Sequence, residues 1–241
     1  MSDPPRRRIA GREAIERALD AGAPLRCMVV PEGPLPPELE SLVARAAATG
    51  AEILRSSTRR HARLARDAEV VALLGPETEA GLDAVMARGG AVWLLVGGAY
   101  AGNVGAAIRT AEGSGADAVY VDNDFDHAAR REARRAAMRA DRFLPVAWER
   151  AGAVIGAARR AGKTIVGVED SGACAPWEVD LDRPILFVVG GEAEGVPATL
   201  LRRCDAVVRI PMEGFVTSYN LQAAVAMLAA ERLRQRSPSA T

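Results

Sequence analysis

Lysine is almost missing: of 31 basic residues, only Lys163 is not an arginine. Histidine occurs twice, at His61 and His127, and cysteine three times, at Cys27, Cys174 and Cys204. Three widely separated thiols, odd in number, speak for reduced side chains and against a disulfide framework. There is no C-x-x-C and no H-x-x-x-H spacing, so the usual zinc ligand sets are missing and no metal is expected. No apolar run reaches the roughly 18 residues of a membrane span, and the opening "MSDPPRRRIAG" has no signal-peptide core. A cytoplasmic protein without a membrane partner is the expectation. Formal net charge is +0, so the overall field points to no polyanionic partner and the local distribution has to be read instead.

What is present is apolar and regularly spaced. With 241 residues, 49% of them hydrophobic, the chain can bury a sizeable core in one large or two small domains. From Ile9 to about Leu74, the short apolar runs "RCMVV", "AEILR" and "EVVALL" alternate with the helical patterns "GREAIERALDAG" and "PPELESLVARAAATG". That alternation predicts a small α/β unit. "GPETEAGLDAVMARGG" reads as a connector with one short helix. From Ala91 the runs "AVWLLVGG", "ADAVYVDN", "KTIVGVED", "PILFVVGG" and "AVVRIPM" predict buried strands of a mainly parallel sheet covered by helices. The division is 1–75, a linker at 76–90, 91–236 and a frayed tail at 237–241.

Two arginine clusters stand out. Genome composition explains the preference for arginine over lysine, whereas position carries more information. Arg6, Arg7 and Arg8 open the chain. "HAARREARRAAMRADR" places Arg131, Arg135, Arg139 and Arg142 at helical spacing, with Arg130 and Arg134 alongside, which predicts a helix face with a stripe of guanidiniums suited to phosphate oxygens.

Ligands of parallel α/β sheets sit beyond the carboxyl ends of the strands. Three loops fall there: "GGAYAGNVG", "GGEAEGVP" and "PMEGFVTSYN". A dinucleotide site is a natural first reading, because Asp122 follows the next strand where a ribose-binding carboxylate would lie. The glycine spacing does not fit it. Gly98, Gly102 and Gly105 give G-x-x-x-G-x-x-G in place of G-x-G-x-x-G, and the chain has no G-x-x-x-x-G-K-[ST].

"NVGAAIRTAEGSGADAVYV", "LFVVGGEAEGVPATLLRRCDAVVRIPM" and "GFVTSYNLQAAVAMLAAER" resemble, in order and spacing, the three motifs of the SpoU/TrmH branch of the SPOUT RNA methyltransferases. The resemblance covers roughly 91–236. "IAGREAIERALDAGAPLRCMVV" is similar to the start of the L30e-like substrate-binding domain that many members carry. The implied fold is α/β, a small L30e-like domain followed by a parallel-sheet SPOUT domain with a trefoil knot. The implied activity is 2′-O-ribose methylation of structured RNA, rRNA before tRNA, by a homodimer using S-adenosylmethionine. Gly190, Ile210, Met212 and Tyr219 then fall at cofactor-binding positions, and Asn103, Arg109, Glu192, Ser218 and Asn220 at catalytic ones, with Asn103 near a helix N-cap; Arg6, Arg7, Arg8, Arg131, Arg135 and Arg139 are the expected RNA-binding residues. A guanidinium is a poor proton acceptor at neutral pH, so Arg109 is assigned to the phosphate and to the developing alkoxide rather than to base catalysis. The chain departs from the family at Tyr100-Ala101-Gly102, where Asp-Pro is common, at Gly191, and at Tyr219, where Leu is usual. A non-catalytic RNA-binding relative and a Rossmann-type NAD oxidoreductase are the competing readings.

Overall fold

A computed structural model describes residues 7–57, 68–75, 81–216 and 218–237. The chain divides into two compact units, Met1–Glu77 and Thr78–Thr241.

The first unit contains β1 (Arg7–Ala10), α1 (Arg12–Asp20), β2 (Leu25–Pro31), α2 (Pro37–Ala48), β3 (Glu52–Ser56) and β4 (Val71–Leu74). Its sheet runs in the order β1-β4-β2-β3; β2 and β3 are parallel, and β4 is antiparallel to β1 and β2. α1 turns Ile15 into the core and carries the Arg12–Glu16 and Arg17–Glu13 pairs in its exposed turns. α2 begins with proline, whose fixed φ suits a first helical turn, and buries Leu39, Leu42 and Ala46. These side chains meet Met28 and Val30 of β2, each burial worth roughly 1.5–3 kcal/mol for a large apolar group. The first arginine cluster falls on edge strand β1: Arg8 is exposed, Arg7 is described in its backbone only, and Arg6 lies outside the described residues. A charged edge strand also guards against pairing with another chain.

The second unit contains α3 (Leu82–Met86), β5 (Ala91–Val96), α4 (Ala101–Gly113), β6 (Ala118–Asp122), α5 (His127–Ala136), β7 (Val146–Trp148), α6 (Ala151–Arg160), β8 (Thr164–Val168), β9 (Ile185–Gly190), α7 (Ala198–Leu201), β10 (Ala206–Val208) and α8 (Leu221–Arg236). Six strands form a wholly parallel sheet in the order β10-β8-β9-β5-β6-β7. β5, "AVWLLV", is buried along its whole length because both sheet faces are covered. Trp93 and Leu95 face Ile108, Val225 and Leu228, whereas Val92 and Leu94 face Val154 and Ile155. Trp93 and Phe187, opposite one another on β5 and β9, stack with centroids 4.4 Å apart.

The opening ends of these strands are tied by buried charge. Lys163 Nζ donates to Arg88 O at 2.6 Å and Gly90 O at 2.9 Å, and Asp117 Oδ2 accepts from Gly90 N at 2.8 Å. Burial brings the Lys163 ammonium down to about 8 against the pull of Asp117. Burial likewise raises Asp117, against the opposing charge of Lys163.

The second arginine cluster is not one helical stripe. α5 stops at Ala136, and Met138 and Arg139 have φ of 53° and 68°, in the left-handed region. This reversal returns Ala140 and Leu144 to the core. Arg139 therefore lies in a tight turn and Arg142 in a short 3-10 segment, Ala140–Arg142. Arg131 and Arg135 remain one turn apart on α5 and exposed. The guanidiniums of Arg130 and Arg134 lie over the Trp148 ring at 5.2 and 5.6 Å.

Candidate functional site

The carboxyl ends of β8, β9 and β10 converge on a cavity of about 320 Å³, a volume typical of small-ligand sites. Val168, Glu169 and Asp170 come from the end of β8, Val189 and the loop to Gly195 from β9, Ile210 and Met212 from the stretch after β10, and Leu221 and Ala224 from α8.

Backbone closeness shapes the β9 loop. Gly191 and Gly195 pair across it. A Cβ on Gly190 would stand 2.1 Å from the Gly195 carbonyl carbon, and one on Gly191 2.2 Å from Gly97 O. The small residue is required by chain packing at the rim of the cavity, in addition to any ligand contact. Gly105, in the glycine-rich stretch with its first reading as a dinucleotide site, serves a different purpose: a Cβ there would lie 2.2 Å from Ala133 O, so it permits α4 and α5 to touch.

Glu169 locks the loop. Its Oε2 accepts from Val196 N at 2.7 Å and its Oε1 from Asp170 N at 3.1 Å. Sequence reading passed over Glu169, since nothing local marks it and its partner is 27 residues away. Glu192 is half-buried; its Oε1 accepts from Asn103 Nδ2 at 2.6 Å, while its Oε2 is buried with no hydrogen-bond partner. An orphaned carboxylate oxygen of this kind favours a ligand that can donate to it. Tyr219 donates from its hydroxyl to Pro211 O at 3.2 Å, bracing the stretch that holds Met212.

All four expected cofactor positions, Gly190, Ile210, Met212 and Tyr219, line this cavity, together with Glu192 and Ser218. Asn103 joins them through Glu192. It is the third residue of α4, whose N-cap is Tyr100, and its side chain bonds across to the β9 loop rather than capping the helix. Arg109 and Asn220 do not line the cavity. Arg109 is exposed on α4 and makes no hydrogen bond or ion pair among the described residues. Asn220 is the N-cap of α8, accepting from Gln222 N at 2.9 Å, and so orients the helix that supplies Leu221 and Ala224.

Charge discriminates between ligands. Among the described residues the lining includes Glu169, Asp170, Glu192 and Glu194 and no arginine, lysine or histidine. Such a cavity repels phosphate and suits a ligand with positive charge. Asp122, where a dinucleotide ribose would have been expected, is occupied instead: Oδ2 accepts from Ala151 N at 2.7 Å at the start of α6, and Oδ1 faces Arg150 Nη1 at 3.3 Å. Among the described residues there is no cluster of three metal-ligating side chains and no helix long and apolar enough to cross a membrane.

Sheet and site together define an α/β protein with a cavity of small-ligand size at the carboxyl edge of a parallel sheet. The chain belongs to the SpoU rRNA Methylase family, whose family model matches residues 91–230. It is 31% identical over 137 residues to the 23S rRNA (guanosine-2'-O-)-methyltransferase RlmB of Pseudomonas aeruginosa, a match covering 56% of this chain and 55% of that one. The matched stretch thus spans about half the length of that relative. The RlmB of Xanthomonas axonopodis pv. citri is 26% identical over 239 residues, covering 95% of this chain and 96% of the relative. The crystal structure of the SpoU methyltransferase AviRb from Streptomyces viridochromogenes, in complex with AdoMet, superposes with a TM-score of 0.59 at 26% identity, over 96% of this chain and 90% of that one.

Proposed function

We propose that this protein is an S-adenosylmethionine-dependent RNA 2′-O-ribose methyltransferase, acting on rRNA in preference to tRNA. The observation that carries the reading is the acidic cavity with its orphaned Glu192 oxygen, held by the loops of the family's second and third motifs. S-adenosylmethionine fits that chemistry, because it brings an ammonium and a sulfonium where the lining is anionic. The names of the relatives support rRNA, and the AviRb complex supports the cofactor.

Bound there, S-adenosylmethionine would supply an electrophilic methyl group for a ribose 2′-oxygen, with S-adenosylhomocysteine as the leaving group and the hydroxyl proton released to solvent. Glu192 Oε2 would accept from a donor on the ligand, and Asn103 holds that carboxylate in place. Ile210 and Met212 would provide apolar walls and backbone groups for the adenine. Glu169 and the capping Asn220 position the backbone on either side. Ser218 would orient the ribose. Arg109 would bind the RNA phosphate and stabilise the alkoxide as it develops.

The reading extends to a homodimer with its sites near the subunit interface. An exposed Arg109, away from the lining of its own cavity, suits a site completed between two copies. Tyr100 at the start of α4, and Met227 and Leu233 on α8, offer exposed apolar side chains for such an interface. Residues 1–75 would serve as an L30e-like RNA-binding domain, joined by 76–90 to a knotted methyltransferase domain over 91–236, with a tail from 237 that lies outside the described residues after Ser237. A cytoplasmic site of action accords with an rRNA substrate.

Isothermal titration of the full chain tests the cofactor. One S-adenosylmethionine should bind per subunit and raise the melting temperature as RT ln(1 + [L]/Kd) requires. Absence of both heat and thermal stabilisation at saturating ligand would remove the methyltransferase reading.

A further inference from the structure

Beside the acidic cavity lies a second one of about 410 Å³ with a different character. Asp170 and Met212 line both. The second cavity adds Arg209, Pro211, Gly214 and Val216. Arg209 is exposed, and among the described residues its guanidinium has no hydrogen bond or ion pair, with Asp170 or any other carboxylate. Val216 is 74% exposed, and Phe215 on the same loop is fully exposed. One cation, one carboxylate and an apolar wall thus share a hollow that adjoins the methyl-donor cavity.

We infer that this second cavity is a nucleotide subsite, in which Arg209 holds a phosphate and Asp170 accepts from the N–H groups of a base, guanine above all. The inference rests on the RNA methyltransferase reading and names what selects the nucleotide. A guanidinium fork matches phosphate oxygens, so the anionic end of a nucleotide belongs at Arg209 and is repelled from the four carboxylates of the first cavity. The base then lies towards Asp170. An ionised carboxylate only accepts hydrogen bonds, so it favours a base edge on which donors adjoin. Guanine presents N1–H and N2–H side by side, whereas adenine offers a single amino group next to an acceptor. Pro211, Met212 and Val216 supply the apolar surface for the ring, and Phe215 offers a stacking face for a neighbouring base. Because Asp170 and Met212 border both cavities, a nucleotide held there lies beside the cavity of the methyl donor.

The test uses the full chain saturated with S-adenosylhomocysteine and measures binding of GMP, AMP and inorganic phosphate by calorimetry or ligand-observed NMR. GMP should bind about tenfold more tightly than AMP. Arg209→Gln should weaken GMP and AMP alike, by about tenfold, without loss of S-adenosylhomocysteine. Asp170→Asn should bring GMP and AMP to within about twofold of each other, since the amide no longer offers two acceptors. Equal affinity for GMP and AMP in the unaltered chain, a guanine preference that survives Asp170→Asn, or inorganic phosphate binding as tightly as GMP would each overturn the subsite. Failure of S-adenosylhomocysteine itself to bind would instead strike the methyltransferase reading on which the subsite depends.

Discussion

Arg109 and Glu192 are read from neighbouring motifs, yet the structure sets them in different surroundings. Glu192 is held by Asn103 from 89 residues away and keeps one oxygen in reserve, whereas Arg109 faces outward. If Arg109 acts on RNA charge and not on the cofactor, Arg109→Ala should leave S-adenosylmethionine titration unchanged and lower kcat by about 100-fold or more. Single-turnover methyl transfer measures this, and a near-normal kcat would place the chemistry on another side chain. The family resemblance named both residues, but neither spacing nor resemblance could pair Asn103 with Glu192. Glu169 was invisible for the same reason: a carboxylate after a strand reads as a solvated loop residue until the fold brings Val196 N within 2.7 Å.

Elements were legible in proportion to their burial. β5, β6, β8 and β9 announce themselves as unbroken apolar runs because a parallel sheet hides both faces. β1 ("RRIA") and β7 ("VAW") lie at sheet edges, are short, and carry too little apolar pattern to be seen. The end of α5 was hidden differently. Arginines continue at helical spacing beyond Ala136, and only the left-handed turn at Met138 and Arg139 breaks the helix. Arg131, Arg135 and Arg139 are nevertheless all exposed, while Arg130 and Arg134 are drawn onto Trp148. Replacing the exposed three by Gln should weaken RNA binding and reduce its salt dependence, with cofactor affinity unchanged. The slope of log K against log salt should become shallower by about 0.7–0.9 for every phosphate that is no longer neutralised. Filter binding across a salt series reads this. Unchanged affinity and slope would make the cluster a solvated surface.

At the scale of the whole molecule, charge is concentrated where it does distinct work: carboxylates around one cavity, a lone arginine in the next, and a buried Lys163 with Asp117 at the opposite edge of the sheet. Lys163→Met removes the hydrogen bonds from Nζ to the carbonyls of Arg88 and Gly90, of which Gly90 O keeps Ile185 N, a loss of roughly 1–3 kcal/mol. Its pH dependence has a definite sign. With the folded-state pKa brought down to about 8 from 10.5, the unfolded chain binds the extra proton between those values. The stability of the unaltered chain relative to Lys163→Met should therefore rise as pH increases from about 8 towards 10.5. Urea unfolding of both proteins across that range checks it; a difference that falls with pH would contradict the burial argument. The mainly parallel architecture was readable from the order of apolar runs, but the order of strands was not, because β9 returns between β8 and β5 and only tertiary pairing decides that.

The most direct test of methylation by this protein is a transcriptome-wide map of ribose 2′-O-methyl groups in a strain lacking it, compared with the same strain complemented by the intact chain and by Arg109→Ala. The account predicts that one site, in rRNA, loses its methyl group in the deletion, regains it with the intact chain and stays unmodified with the variant. A map identical in all of these strains would contradict it.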